Sequence, residues 1–182
     1  MGGSPSAAEL TSRVLDFARL GADRASRAYG LLVGSELRPG EPAPLARALE
    51  ADAVLGIVFE LQGDVSGLIA LLLSERACGQ LLDTLCPGVD PASDRAASAL
   101  REAGNIVASQ AASAVADELG ARIAISVPTL LGEEADAVLR RMIARRGGVA
   151  AQSGLGDAAG RGQARLVFAP DAQDVPDGPA RF

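Results

Sequence analysis

The hexapeptide Glu50-Ala-Asp-Ala-Val-Leu55 recurs, residue for residue, as Glu134-Ala-Asp-Ala-Val-Leu139, an offset of 84 residues. That offset also carries Gly63 onto Gly147 and Pro44 onto Pro128. An offset one residue shorter lays Gly21-Ala-Asp-Arg-Ala-Ser-Arg-Ala28 over Gly104-Asn-Ile-Val-Ala-Ser-Gln-Ala111. Six consecutive identities with flanks in matching order indicate two copies of one unit, which share a core because neither alone would bury enough surface. The expected organisation is a disordered leader at 1–7, one domain at 8–170 made of two repeats (8–90 and 91–170), and a Pro- and Asp-rich tail at 171–182.

Each unit opens with a long helical pattern, about 8–33 and 93–119. In the first copy, the apolar runs Asp52 to Leu61 and Val65 to Leu73 flank Gln62-Gly63-Asp64 and predict an antiparallel hairpin. Glu75 to Cys86 then reads as an amphipathic helix stopped by Pro87-Gly88. In the second copy, Ala121 to Val127 is a β-rich strand, Ser153 to Gly162 a Gly-rich connection and Arg165 to Ala169 a closing strand. Ala137 to Arg145 fits helix or strand on periodicity alone, and strand is adopted because its counterpart in the first copy is one. The fold class expected is α+β, with duplicated, pseudo-symmetric units whose long helices pack on a mostly antiparallel sheet.

The chain has no histidine, which excludes histidine general bases, Ser-His and Cys-His nucleophilic pairs and histidine metal ligands. Cys78 and Cys86 are eight residues apart, too far for a CxxC redox or zinc motif, and read as reduced packing residues of a cytoplasmic protein. No metal of the chain's own is expected. A net charge of −6 argues against nucleic-acid or anionic-membrane binding. The cluster Arg140, Arg141, Arg145 and Arg146 reads as a solvated edge. The longest apolar run, Leu68 to Leu73, is far short of a membrane span.

On the second long helix, at roughly 100° per residue, Ser98, Glu102, Asn105 and Ser109 share a narrow polar wedge, opposite Leu100, Ala103, Gly104, Val107, Ala111 and Ala114. Asn105 is the chain's one asparagine, and mid-helix is a poor place for it, since asparagine favours caps and turns. Ser109 has a twin at Ser26 and is read as structural, and the small residues Gly104, Ala108 and Ala111 as permitting close packing.

Ser98, three residues, Glu102, two residues, Asn105, and then Pro128, with Gly104 before the asparagine, resemble the signature of the CheC/CheX/FliY family of chemotaxis phosphatases. Phe59, Gly63, Gly67 and Leu71-Leu72-Leu73-Ser74 are similar to that family's hairpin and following helix, so the resemblance spans roughly residues 10–170. It implies hydrolysis of the aspartyl phosphate on a CheY-like response regulator, which brings its own Mg²⁺ and lysine, so that no cofactor belongs to this chain. It further implies that Asn105 holds the attacking water, that Glu102 pairs with the regulator's lysine, that Ser98 makes a lesser substrate contact, and that Gly104 and Pro128 shape the backbone. A carboxamide suits the first role because it accepts and donates hydrogen bonds without adding negative charge beside a phosphoryl group.

The first copy departs from the pattern, carrying Leu15, Arg19 and Ala22 where the second has Ser98, Glu102 and Asn105. One active site is therefore expected, with the first helix kept for packing. The competing expectation is a non-catalytic scaffold of the same fold that binds the regulator, a CheD-like deamidase or a flagellar-switch component. The family resemblance allows a monomer or a homodimer, and Leu15, Leu20 and Tyr29 on the first helix leave a buried dimer face open.

Overall fold

The computed structural model describes residues 6–45, 53–157 and 162–176. Helix α1 (Ala7–Val33) begins at Ser6, whose hydroxyl accepts from the Glu9 amide while the Glu9 carboxylate accepts from the Ser6 amide. This reciprocal pair satisfies two of the helix's orphan donors. The helix ends at Gly34, left-handed at φ 64°. Strands β1 (Arg38–Pro39) and β2 (Ala43–Pro44) lead to the hairpin β3 (Ala53–Gly63) and β4 (Gly67–Ser74), then α2 (Glu75–Leu85) and α3 (Asp94–Leu119). The second half continues with β5 (Ile123–Ile125), β6 (Thr129–Leu131), α4 (Ala135–Arg146) and the hairpin β7 (Ala151–Gly156) and β8 (Gly162–Pro170).

All strand pairings are antiparallel, in the order β1-β7-β8-β4-β3-β5, with β2 also on β7 and β6 also on β3. The halves interlock: β1 and β2 of the first pair with the second half's hairpin, and β5 and β6 of the second pair with the first half's hairpin. Strands β4 and β8 meet in the middle, Ala70 opposite Val167.

Strand alternation divides the core. Ile57, Phe59, Leu61, Ile69, Leu71 and Leu73 face α1, α2 and α3, whereas Val58, Leu68, Ala70 and Leu72 face α4 on the other side. The molecule is thus a sheet between a three-helix layer and a single helix, an α+β architecture as expected.

The stretch Ala137 to Arg145, expected as strand, is helical and forms most of α4. Ala135, Leu139 and Ile143 recur every four residues and are all buried, the helical period that the comparison with the first copy had overridden. Of the shared hexapeptide, Glu50 to Asp52 lie outside the described residues, while Ala53 to Leu55 open β3. Its second occurrence instead enters α4. Identical residues therefore stand in different elements, and the second hairpin begins only at Ala151.

Other boundaries moved less. Part of the expected Gly-rich connection, Ser153 to Gly156, is β7, and the strand expected over Ala121 to Val127 is regular only at 123–125. Residues 1–5 of the expected leader lie outside the described residues, and Ser6 and Ala7 belong to α1 and its cap. Within the expected tail, Ala172–Asp174 form a 3-10 turn, Val175 is buried, and Pro176 accepts from Arg13. Residues 177–182 lie outside the described residues.

Beneath α4 lies a charged cluster. Asp136 pairs with Arg140 at 2.7 Å and Arg165 at 3.4 Å, and Arg165 donates to Gln152. Arg140 also donates to the Leu45 carbonyl. The expected solvated edge therefore holds for Arg141 and Arg145, which are exposed, and fails for Arg140. Arg146 also pairs, with Glu60 at 3.1 Å and Asp171 at 3.2 Å.

Candidate functional site on helix α3

Helix α3 is fixed at both ends. The Ser93 hydroxyl accepts from the Ala96 amide, Asp94 adds a negative charge to the first turn, and Gly120, at φ 60°, closes the far end. Between them the helix is rich in alanine and small residues, which lets it lie close to its neighbours. The tightest point is Gly104, where a Cβ atom would stand 2.7 Å from Cγ2 and 2.9 Å from Cδ1 of the fully buried Ile57. The glycine is thus required by close approach of α3 to β3.

A second anchor fixes the helix direction. Ala116 shares a shallow cleft with Gln62, Gly63, Ile123 and Ala124. From Gly104 to Ala116 the helix rises about 18 Å, and from Ile57 to Gln62 the strand runs about 17 Å, so α3 travels along β3 in the same sense. Its α1 flank is marked by Ala111 against Gly21 and by Asp117 paired with Arg24 at 2.7 Å. Asn105 lies within about 20° of Ala116 on the helical wheel. The wedge of Ser98, Glu102, Asn105 and Ser109 therefore turns away from α1, toward the sheet margin formed by β5 and β6.

Ser98 and Glu102 are exposed, and Asn105 and Ser109 are half-buried. The side chains of Ser98, Glu102 and Asn105 form no hydrogen bond or ion pair with any other described residue. Their polar groups stand ready for a partner outside the chain. They lie along one ridge of the helix, exposed at Ser98 and Glu102 and half-buried at Asn105. Among the described residues there is no cluster of three or more potential metal ligands, and no helix is long and apolar enough to cross a membrane.

The strand margin beside this ridge is irregular in a defined way. Leu61 pairs with Ile125 and Val58 with Thr129, so Phe59 and Glu60 on β3 face three residues, Ser126, Val127 and Pro128. The extra residue makes a bulge. Ser126 holds it: its amide donates to the Glu60 carbonyl at 2.9 Å, and its hydroxyl accepts from the Glu60 amide at 2.9 Å while donating to the Val127 carbonyl. Pro128, lacking an N–H, loses no ladder bond there. Val127 is pushed outward and is 87% exposed. A simple alternation of Ile123, Ile125 and Val127 would have placed it inside. Its exposure, and that of Ile106 one turn from Glu102, is the feature that sequence reading missed. The Val-Pro pair at the strand end was the available signal.

In the first copy Arg19 is paired with Asp16 at 3.1 Å and Glu41 at 3.2 Å, Leu15 is half-buried, and Ala22 is fully buried. No free polar pair stands there.

Residues 96–131 match the profile of the CheC-like family, a span that contains Ser98, Glu102, Gly104, Asn105 and Pro128. The chain thus resembles the CheC-like family over the stretch that bears its candidate site. Solved structures of that group share its fold at low identity. A CheC-like superfamily protein from Shewanella sp. PV-4 is 13% identical with a TM-score of 0.63, over 86% of this chain and 97% of that one. CheX of Borrelia burgdorferi, solved in complex with CheY, BeF₃ and Mg²⁺, is 19% identical with a TM-score of 0.60, over 86% and 98%. FliY of Thermotoga maritima is 14% identical with a TM-score of 0.59, over 93% and 92%. No curated protein sequence matches the chain. The segment that matches the family profile is the one that carries Glu102 and Asn105, whose side chains have no partner among the described residues.

Proposed function

We propose that this chain removes the phosphoryl group from the aspartyl phosphate of a CheY-like receiver domain, using one site on α3. The observation that carries the reading is the pair Glu102 and Asn105 on one accessible helix face, neither bonded within the described chain. The Borrelia CheX structure, in which a similarly folded chain is bound to CheY, supports a receiver as the partner. Glu102 meets a lysine of the receiver and fixes the docking register. Asn105, one turn along, enters the phosphorylated pocket and holds a water in line with the departing carboxylate. The amide oxygen accepts from that water and the amide NH₂ donates toward the phosphoryl oxygens, so no charge is added to an already anionic centre. Ser98, one turn before Glu102, contacts the receiver at the rim. Mg²⁺ enters with the receiver, bound in its phosphorylated pocket.

The test is decay of phosphorylated CheY with and without the protein. Asn105→Ala is expected to lower the acceleration at least about 100-fold while preserving binding, and Glu102→Ala to weaken binding roughly 10-fold. Equal acceleration by the wild type and Asn105→Ala overturns the mechanism.

The loss of the polar pair from the first copy, together with similarity to FliY, favours one alternative, a scaffold that binds a receiver or a flagellar-switch component without chemistry. Binding of CheY that leaves its phosphate lifetime unchanged distinguishes it.

A further inference from the structure

Two exposed apolar side chains accompany the Glu102 and Asn105 ridge. Ile106, four residues after Glu102, flanks it on the solvent side and is 37% exposed. Val127, 87% exposed, stands in the bulge on the β5–β6 margin toward which the ridge turns. The level of Val127 follows from the anchors: Phe59 and Glu60, which oppose the bulge, lie about 8 Å beyond Ile57 along β3. On α3 the same advance from Gly104 reaches Ser109, one turn past Asn105 on the same wedge. A valine this exposed on a bulge pinned by three hydrogen bonds has no packing role in the chain itself.

Resting on the proposed function, we infer that Val127 is a docking knob for the receiver domain: the bulge at Ser126-Val127-Pro128 presents it to an apolar patch beside the receiver's phosphorylated pocket, and Ile106 makes the companion contact across the ridge. The occupant is a receiver domain because the knob is continuous with the two polar groups that address its pocket. Ile106, one turn from Glu102, also shields that charged contact from water, which strengthens the ion pair. Val127 contacts the partner away from the reacting atoms. It is a positioning residue, and its effect falls on affinity and not on the chemical step.

The experiment measures kcat and KM for dephosphorylation of CheY maintained with a small-molecule phosphodonor, together with binding of CheY loaded with beryllofluoride and Mg²⁺. Val127→Asp is expected to raise KM and the dissociation constant at least 10-fold with kcat within twofold of wild type. Val127→Leu, apolar and equally protruding, is expected to stay within twofold on all three. Circular dichroism checks that both variants fold. Unchanged KM and affinity in Val127→Asp overturn the inference while leaving the phosphatase reading intact, which Asn105→Ala tests separately. A wild type that binds but does not hydrolyse overturns the phosphatase reading alone, and the binding arm then decides the knob. A wild type that does neither overturns both.

Discussion

Replacing Gly104 by alanine tests whether the closeness of α3 to β3 matters to both fold and site. On helix propensity alone the change stabilises by about 1 kcal/mol. Against that, the added methyl would sit 2.7 and 2.9 Å from two carbons of Ile57, a β-branched side chain that is completely buried and has no free end to move aside. Overpacking of this kind costs about 1–3 kcal/mol, so the net effect expected is a loss of about 1 kcal/mol, read as a fall of roughly 2–4 °C in Tm for a chain of this size. Relief comes by α3 moving off the sheet by several tenths of an ångström, carrying Asn105 with it. On the proposed function, dephosphorylation of CheY should therefore fall further than stability does, by about 10-fold. Gly79→Ala is the matched control: Gly79 is in α2, exposed, with nothing within 4 Å of its added Cβ. It should stabilise by up to about 1 kcal/mol. Thermal melts and phosphate-decay assays of both variants decide the matter. A Gly104→Ala protein that melts higher, as Gly79→Ala does, refutes the packing argument.

Removing Asp136 leaves Arg140 and Arg165 without their shared carboxylate in a half-buried setting, so Asp136→Ala should cost about 2–4 kcal/mol by denaturant titration. Ser93→Ala removes the α3 cap and should cost about 1 kcal/mol in the same titration. Burial, with Glu75 adding to it, pushes the Cys78 thiol from the usual 9 up to about 11, so alkylation of Cys78 at pH 8 should be much slower than that of a free thiol. The folded-state value is the raised one: this contribution to stability is whole below pH 9 and disappears between pH 9 and 11, giving a fall in Tm over that window that is smaller in Cys78→Ala, where only buried Tyr29, also raised from its usual value of 10, still contributes above pH 10.

The long helices, the β3–β4 hairpin and α2 were legible because each combines a clean period with a terminator: Ser93 and Gly120 around α3, Gly63 in the turn, Pro87-Gly88 after α2. Helix α4 was legible too, in the four-residue spacing of Ala135, Leu139 and Ile143, until a hexapeptide identity outweighed it. The two-residue strands β1 and β2 carry no periodic signal, since their pairing with β7 is made entirely by tertiary neighbours. At the candidate site, the shared face of Ser98, Glu102 and Asn105 follows from helical spacing. Which way that face points does not, because it depends on Gly104 meeting Ile57 and Ala111 meeting Gly21. The outward turn of Val127 depends on a register shift of one residue between β5 and β6, invisible without the partner strand.

The exchange of short strands between the halves has a structural corollary. Each hairpin borrows its outer neighbours from the other copy, so deleting either copy would strip hydrogen bonds from the survivor and leave a raw sheet border. Both halves are consequently needed for the architecture, whatever each does at its surface. A helix held in place for that reason is under no demand to carry chemistry, and α1, with Arg19 ion-paired and Ala22 buried, presents no free polar pair where α3 presents Glu102 and Asn105.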